Sequence, residues 1–302
     1  MNVYRNIALR PMCDIDVLVP RTAARQALKV LQDAGYTLLA PATEESIPLF
    51  GKDMVLRKAC HVFTVEVHWT ITDHEADVDL DEAWARSQPT RLEGVETGVF
   101  ATEDFLLHLC LHAAYHHAFN VSLRPLCDIA VFVDHFQAEL SWERFCQYTA
   151  RYGWEKGVYL ILWLAKARVG AEVPDEVLAR LKPAHLPEAV VAAAEYRLFQ
   201  GRDTTGVLSS KFVGLWGGTR MLDKLRAIGR SIFLPREAMA RLYPLPPDSP
   251  WLYGYYLIRC KDLVVRYRGA AWRLLRGDPT FTATVRQRDA LQDWLIKSDS
   301  PA

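Results

Sequence analysis

Residues 9–19, LRPMCDIDVLV, decide how this chain is read. The β-branched run 15–19 is stopped by Pro20, which predicts a strand, and the strand is led by Asp14-Ile15-Asp16. A period of two sends both carboxylates to one face and turns Ile15 the other way, into the core. Two acids so close repel each other, and a divalent cation between them turns the repulsion into ligation. Mg²⁺ suits the position, because it takes hard oxygen ligands, usually one or two carboxylates completed by substrate phosphates. Further along, 62–72 reads as a strand with Val65, Val67 and Trp69 on one face and Glu66, His68 and Thr70 on the other. Glu66 is therefore the candidate third acid. On spacing alone, an Asp-rich turn entering an edge strand accounts for Asp14 and Asp16 equally well.

Around these strands the first hundred residues have mixed texture. A helix is expected over 22–34, stopped by Gly35, with short strands at 36–39 and 54–58. A short helix follows at 79–86, then an extended stretch at 91–100 with turns at Gly94 and Gly98. After Ala101 the periodicity becomes helical, starting from Thr102 as N-cap with Glu103 and Asp104 in the first turn and running to about residue 117. Further helices are expected at 122–135, 141–152, 155–169, 174–182, 187–200, 207–230, 251–276 and 285–297, two of them separated by Pro244, Pro246, Pro247 and Pro250. The reading is α+β: a small mixed β-sheet domain over 1–100 and a mostly α-helical domain over 101–302.

Composition narrows the classes. Lys plus Arg and Asp plus Glu are both 36, so a polybasic nucleic-acid coat is excluded and nucleic acid is an unlikely partner. The six cysteines form no CxxC pair in a long chain, which predicts reduced, mostly buried thiols. The N-terminus lacks a signal-peptide core, and no apolar run reaches the ~20 residues of a membrane span. A cytoplasmic location is expected by elimination.

The order LRPMCDIDVLV, a helix ending in AGY, VEVHW, LLHLCLHAAYHH and LCDIAVFV resembles the uncharacterised nucleotidyltransferase family of bacteria, related to the DNA polymerase beta-like nucleotidyltransferase superfamily. The resemblance covers roughly 5–245, more loosely after 170. It implies a small mixed sheet flanked by helices, with Asp14 and Asp16 as metal ligands, Glu66 as third carboxylate and His68 within the family's pattern. It implies an NTP donor, two Mg²⁺ ions and a small-molecule or peptide acceptor whose hydroxyl receives the nucleotidyl group as pyrophosphate leaves. Arg10 is a candidate for a phosphate oxygen, with a surface ion pair as its alternative; Lys52 and Lys58 are weaker candidates. The superfamily also carries a Gly-Ser or Lys-Gly turn upstream of its Asp pair, whereas the 13 residues before Asp14 contain neither Gly nor Ser. Either the start is misplaced or this copy has lost the element, and the second case leaves a catalytically degenerate protein acting as a binding or scaffold partner.

Three further features stand apart. His108, His112 and His116 fall at i, i+4 and i+8 with His117 adjacent, a face able to offer two imidazoles to a transition metal or to pack by hydrogen bonding. RPLCDIA at 124–130 echoes RPMCDID at 10–16, but Ala130 stands where Asp16 does, so the echo reads as coincidence. The basic, aromatic stretch 259–276 fits a packed helix whose core stripe is Leu263, Val264, Tyr267, Ala271 and Leu274, or an acidic partner surface.

Overall fold

A computed structural model describes residues 3–4, 6–12, 14–39, 53–59, 63–71, 80–199, 251–276 and 279–296, with isolated positions at 233, 234, 236, 239 and 249. The expected helix at 207–230, the prolines at 244, 246, 247 and 250, Lys52, Cys13 and Cys60 lie outside the described residues. Spatial contact divides the chain into two compact units, Met12–Trp69 with Thr204–Asp289, and Met1–Pro11 with Thr70–Asp203 and Ala290–Ala302. The division at residue 100 follows texture along the chain; these units follow packing.

The first unit contains a four-stranded mixed sheet, in the order β1 (Asp14–Leu18), β4 (Thr64–His68), β3 (Asp53–Arg57), β2 (Thr37–Leu38). β1 and β4 are parallel, and the other neighbours are antiparallel. Between β1 and β2 runs α1 (Ala24–Asp33), ending before Gly35, whose φ of +86° is costly for any residue with a Cβ. The alternation of β3 and β4 sorts their side chains cleanly. Met54, Leu56, Val65 and Val67 are buried with Ala24 and Leu28 of α1 and with Trp69. The opposite face carries the polar residues of the same strands. Ile15 and Val17 point to the apolar side, in register with Val65 and Val67, yet remain 45% and 40% exposed. The expected burial of Ile15 is therefore corrected: among the described strands β1 stands at the edge of this sheet, and its apolar side chains lie out at the margin.

The second unit begins with α2 (Asp81–Arg86) and the hairpin β5 (Gln88–Leu92) and β6 (Val95–Val99). Glu93 and Gly94 make the turn with φ of +48° and +85°, the pair of positive angles a tight hairpin demands. Gly98 is not a turn but pairs with Pro89 in the ladder. Then come α3 (Thr102–Leu111), α4 (Arg124–His135), α5 (Trp142–Arg151), α6 (Glu155–Val169), α7 (Asp175–Leu181) and α8 (Glu188–Phe199). Thr102 is the first residue of α3 and Ala101 its N-cap, one position before the expected cap.

α6 is the axis of this bundle. Its Val158, Leu160, Ile161, Leu162, Leu164 and Ala165 are all fully buried, because an all-round apolar helix must be surrounded. It packs on α3, α4 and α7 and closes at Gly170 in the left-handed conformation. Two long helices, α9 (Leu252–Leu275) and α10 (Pro279–Ile296), complete the described elements. In α9, Val264 is 66% exposed, so it is not the core residue expected; Tyr267, Ala271 and Leu274 have side chains outside the description. Among the four described cysteines, Cys110 and Cys146 are buried while Cys127 is exposed.

Candidate active site

The parallel pairing of β1 and β4 determines which side chains meet. It sets Asp16 directly beside Glu66, Asp14 beside Thr64 and Leu18 beside His68. On the other side of β4, Asp53 of β3 faces His68 and Val55 faces Glu66. All of these lie on the polar face, opposite the apolar layer that covers α1. The result is one acidic patch built from three strands, Asp14, Asp16, Glu66 and Asp53, with the His68 imidazole among them.

Its geometry is close. His68 Nε2 lies 3.1 Å from Asp16 Oδ1; a carboxylate only accepts, so the ring N–H donates. The same nitrogen is 3.7 Å from Glu66 Oε2, and Nδ1 is 4.0 Å from Asp53 Oδ2. One ligand atom from each of Asp16, Glu66 and His68 lies within 4.8 Å of the other two. Asp16 is half-exposed, while Glu66 and His68 are further in. The Glu66 carboxyl is pushed above the usual carboxylate range, first by burial and then by the charges of Asp16 and Asp14. Asp53 adds to the rise, and His68 opposes it. Asp14 thus acts on Glu66 although it is one register step away.

That arrangement has a measurable consequence. A carboxyl raised on folding gives its full contribution to stability below its unfolded pKa and loses it as pH climbs through the folded value. The metal-free chain is therefore expected to lose stability from the ordinary glutamate range upward to the raised value, and Glu66→Gln is expected to remove that loss. Solvent screening at a partly exposed site keeps the effect to a fraction of a kcal/mol, about 1–2 °C in Tm at pH 7 in favour of the variant. Thermal melts at pH 4 and pH 7 check it: a gap that does not widen with pH contradicts the assignment.

The sequence-predicted residues distribute unevenly. Asp14, Asp16, Glu66 and His68 converge on the polar face. Arg10 does not stand with them. It belongs to the unit containing α4, where its Nε donates to both carboxylate oxygens of Asp128, at 2.9 and 3.1 Å. Tyr4 Oη donates to Asp128 as well, at 2.6 Å, and burial with this bond raises the phenol. The arginine of the first RP-CDI copy is thus bound by the aspartate of the second. The two copies are unlike in structure, Asp14 opening a strand and Asp128 lying within α4.

Asp53 went unrecognised in the sequence, where the strand was begun at Met54. The available signal was its alternation with the apolar Met54 and Leu56, which puts this acid on the strand's opposite face with Val55. Lys58 is likewise placed elsewhere, over the Tyr36 ring at 5.8 Å.

Chemically, hard oxygen donors from adjacent strands beside an imidazole suit a small divalent cation, with the donor set matching Mg²⁺ better than a soft metal. The family is specific: the model of the uncharacterised nucleotidyltransferase family matches residues 1–170, more than half of the chain, and the chain belongs to that family. No curated protein and no solved structure matches it at a significant level. The match takes in the mixed sheet, the hairpin and the helices through α6. Among the described residues, no helix is long and apolar enough to cross a membrane.

Proposed function

We propose that the chain is a Mg²⁺-dependent nucleotidyltransferase that moves a nucleotidyl group from an NTP to a hydroxyl of a small molecule or peptide, in the cytoplasm, with release of pyrophosphate. The observation that carries this reading is the register of β1 on β4, which puts Glu66 beside Asp16 within reach of one cation. Asp14, Asp16 and Glu66 are the residues that would hold the metal. When bound, Mg²⁺ supplies charge neutralisation to the phosphate oxygens of the donor.

The chain's own groups divide the remaining work. Asp14 and Asp16, on the rim of the sheet, present carboxylate oxygens toward solvent, where a triphosphate can approach. His68 holds Asp16 in one orientation through its Nε2–H. Glu66, the more sheltered carboxylate of the pair beside Asp16, is the group suited to take the proton from the acceptor hydroxyl at its carboxylate oxygen. Arg10 is left out of the proposed set because its guanidinium already serves Asp128.

Isothermal titration with each of the four NTPs, with and without Mg²⁺, tests the reading. Binding is expected only with the cation, and Asp14→Asn or Asp16→Asn is expected to remove it. Absence of nucleotide affinity in both conditions overturns catalysis and returns the chain to the non-catalytic binding role.

A further inference from the structure

A second cluster of metal-ligating side chains lies on the helical unit, where a change of helix type creates it. At the end of α3 the backbone widens into a π turn over His112–His116, and the His117 amide donates to the His112 carbonyl at 3.1 Å, an i→i+5 step. In an α-helix, the fifth residue on would lie about 140° round the axis, facing elsewhere. The π turn brings it back above the first residue, with the fourth on its other flank. His116 and His117 therefore straddle His112. The ring centroids are 5.1 Å apart for His112 and His116, 4.5 Å for His112 and His117, and 4.3 Å for His116 and His117. One ring nitrogen from each of the three lies within 4.8 Å of the other two. The i, i+4, i+8 set expected on the sequence, which starts from His108, is not the one that gathers.

The turn is held by several contacts. The Gly157 amide of α6 donates to Tyr115 Oη at 3.2 Å, and a Cβ at residue 157 would stand 2.3 Å from the Tyr115 ring. Beyond the turn, Ala118 and Phe119 take φ of +46° and +64°, a left-handed pair that costs about 1 kcal/mol or more for each non-glycine residue. The buried Arg197 donates from Nε to the Ala118 carbonyl at 2.6 Å, the Phe119 amide donates to the Ala113 carbonyl at 2.8 Å, and Phe119 is fully buried. Strain maintained in this way, next to a π turn and three half-buried imidazoles, is the pattern of a functional site rather than of a helix end.

We propose that His112, His116 and His117 bind one borderline divalent transition-metal ion of the Zn²⁺ type, leaving a coordination position open. Three neutral imidazole nitrogens are a catalytic-type zinc set, and they do not suit Mg²⁺, which takes oxygen. Zn–N bonds of 2.0–2.1 Å place tetrahedral nitrogens about 3.4 Å apart, so rotation of the side chains closes the remaining ångström or so. The site uses none of the acidic patch, so it stands or falls independently of the nucleotidyltransferase reading.

The test uses the full chain without a polyhistidine tag, stripped by chelator and titrated with Zn²⁺ against a colorimetric competitor. One equivalent is expected to bind, weakened at least about 10-fold by His116→Gln or His117→Gln and retained in Glu66→Gln. Thermal melts of the metal-free variants establish that they are folded. Co²⁺ added to the unsubstituted chain, in which no fold is perturbed, is expected to give the intense visible absorption of a low-coordinate nitrogen site. Absence of that band, or zinc uptake that disappears with Glu66→Gln and ignores the histidines, overturns the proposal.

Discussion

Asp16→Asn is expected to lower Mg²⁺-dependent pyrophosphate release by about 10³-fold or more, an effect comparable with removing a principal electrostatic group from a transfer site. Asn keeps the size of the side chain and can still accept from the His68 ring, so what disappears is the charge. Asp16 has the geometry of a shared ligand: it pairs with Glu66 across the β1–β4 ladder and touches His68. Its substitution removes one of the charges that raise Glu66, which lowers the proton affinity of the group proposed as base. Stability is expected to move the other way. Losing one negative charge from a crowded patch relieves repulsion, so the variant should melt no lower than the parent. Pyrophosphate release measured with each NTP and a pool of hydroxyl acceptors, alongside a thermal melt, separates the two effects. An inactive variant that also unfolds, or a stable variant that retains activity, contradicts the role given to this carboxylate.

Arg86→Ala is expected to destabilise the chain by about 3–5 kcal/mol, the cost of leaving a buried carboxylate without its partner. Arg86 at the end of α2 donates from Nε and one Nη to the two oxygens of Asp104 at 2.9 and 2.8 Å, a bidentate fork. Asp104 is buried in the first turn of α3, and the guanidinium carbon lies 4.1 Å from the centre of the Tyr148 ring of α5. One side chain thus joins three helices, and the hydrogen bonds to Asp104 hold its guanidinium firmly charged. Chemical denaturation measures the loss. The paired variant Arg86→Met with Asp104→Leu removes the stranded charge and is expected to recover most of the stability. A single substitution costing under 1 kcal/mol would show that solvent reaches Asp104 freely.

The fold was largely legible because periodicity survives in short segments. VEVHW alternates so strictly that residue types alone separate its two faces, and the helix expected at 155–169 has the bounds of α6. The departures have local causes. Ile15 is apolar and faces the apolar layer, but the order of strands leaves β1 at an edge. Gly98 looks like a turn residue, yet Glu93 and Gly94 already complete the hairpin, so Gly98 is left in the ladder. The histidine spacing was counted on an α-helical wheel, which a π turn invalidates from His112 onward. Of the two expectations for Arg10 the ion pair is the one present, and its partner is Asp128, 118 residues away in the chain.

The sequence by itself determined which residues alternate, which stretches of the described chain are helical, and that two aspartates share one strand face. These are properties of neighbours, set by bond geometry and by the separation of apolar from polar side chains. Only the tertiary structure decided that β4 lies parallel to β1 with Glu66 opposite Asp16, that Asp53 joins them from β3, and that Asp128 takes Arg10. Strand order and register depend on how whole apolar faces cover one another, an energy summed over residues distant in the chain, and no local pattern carries that sum.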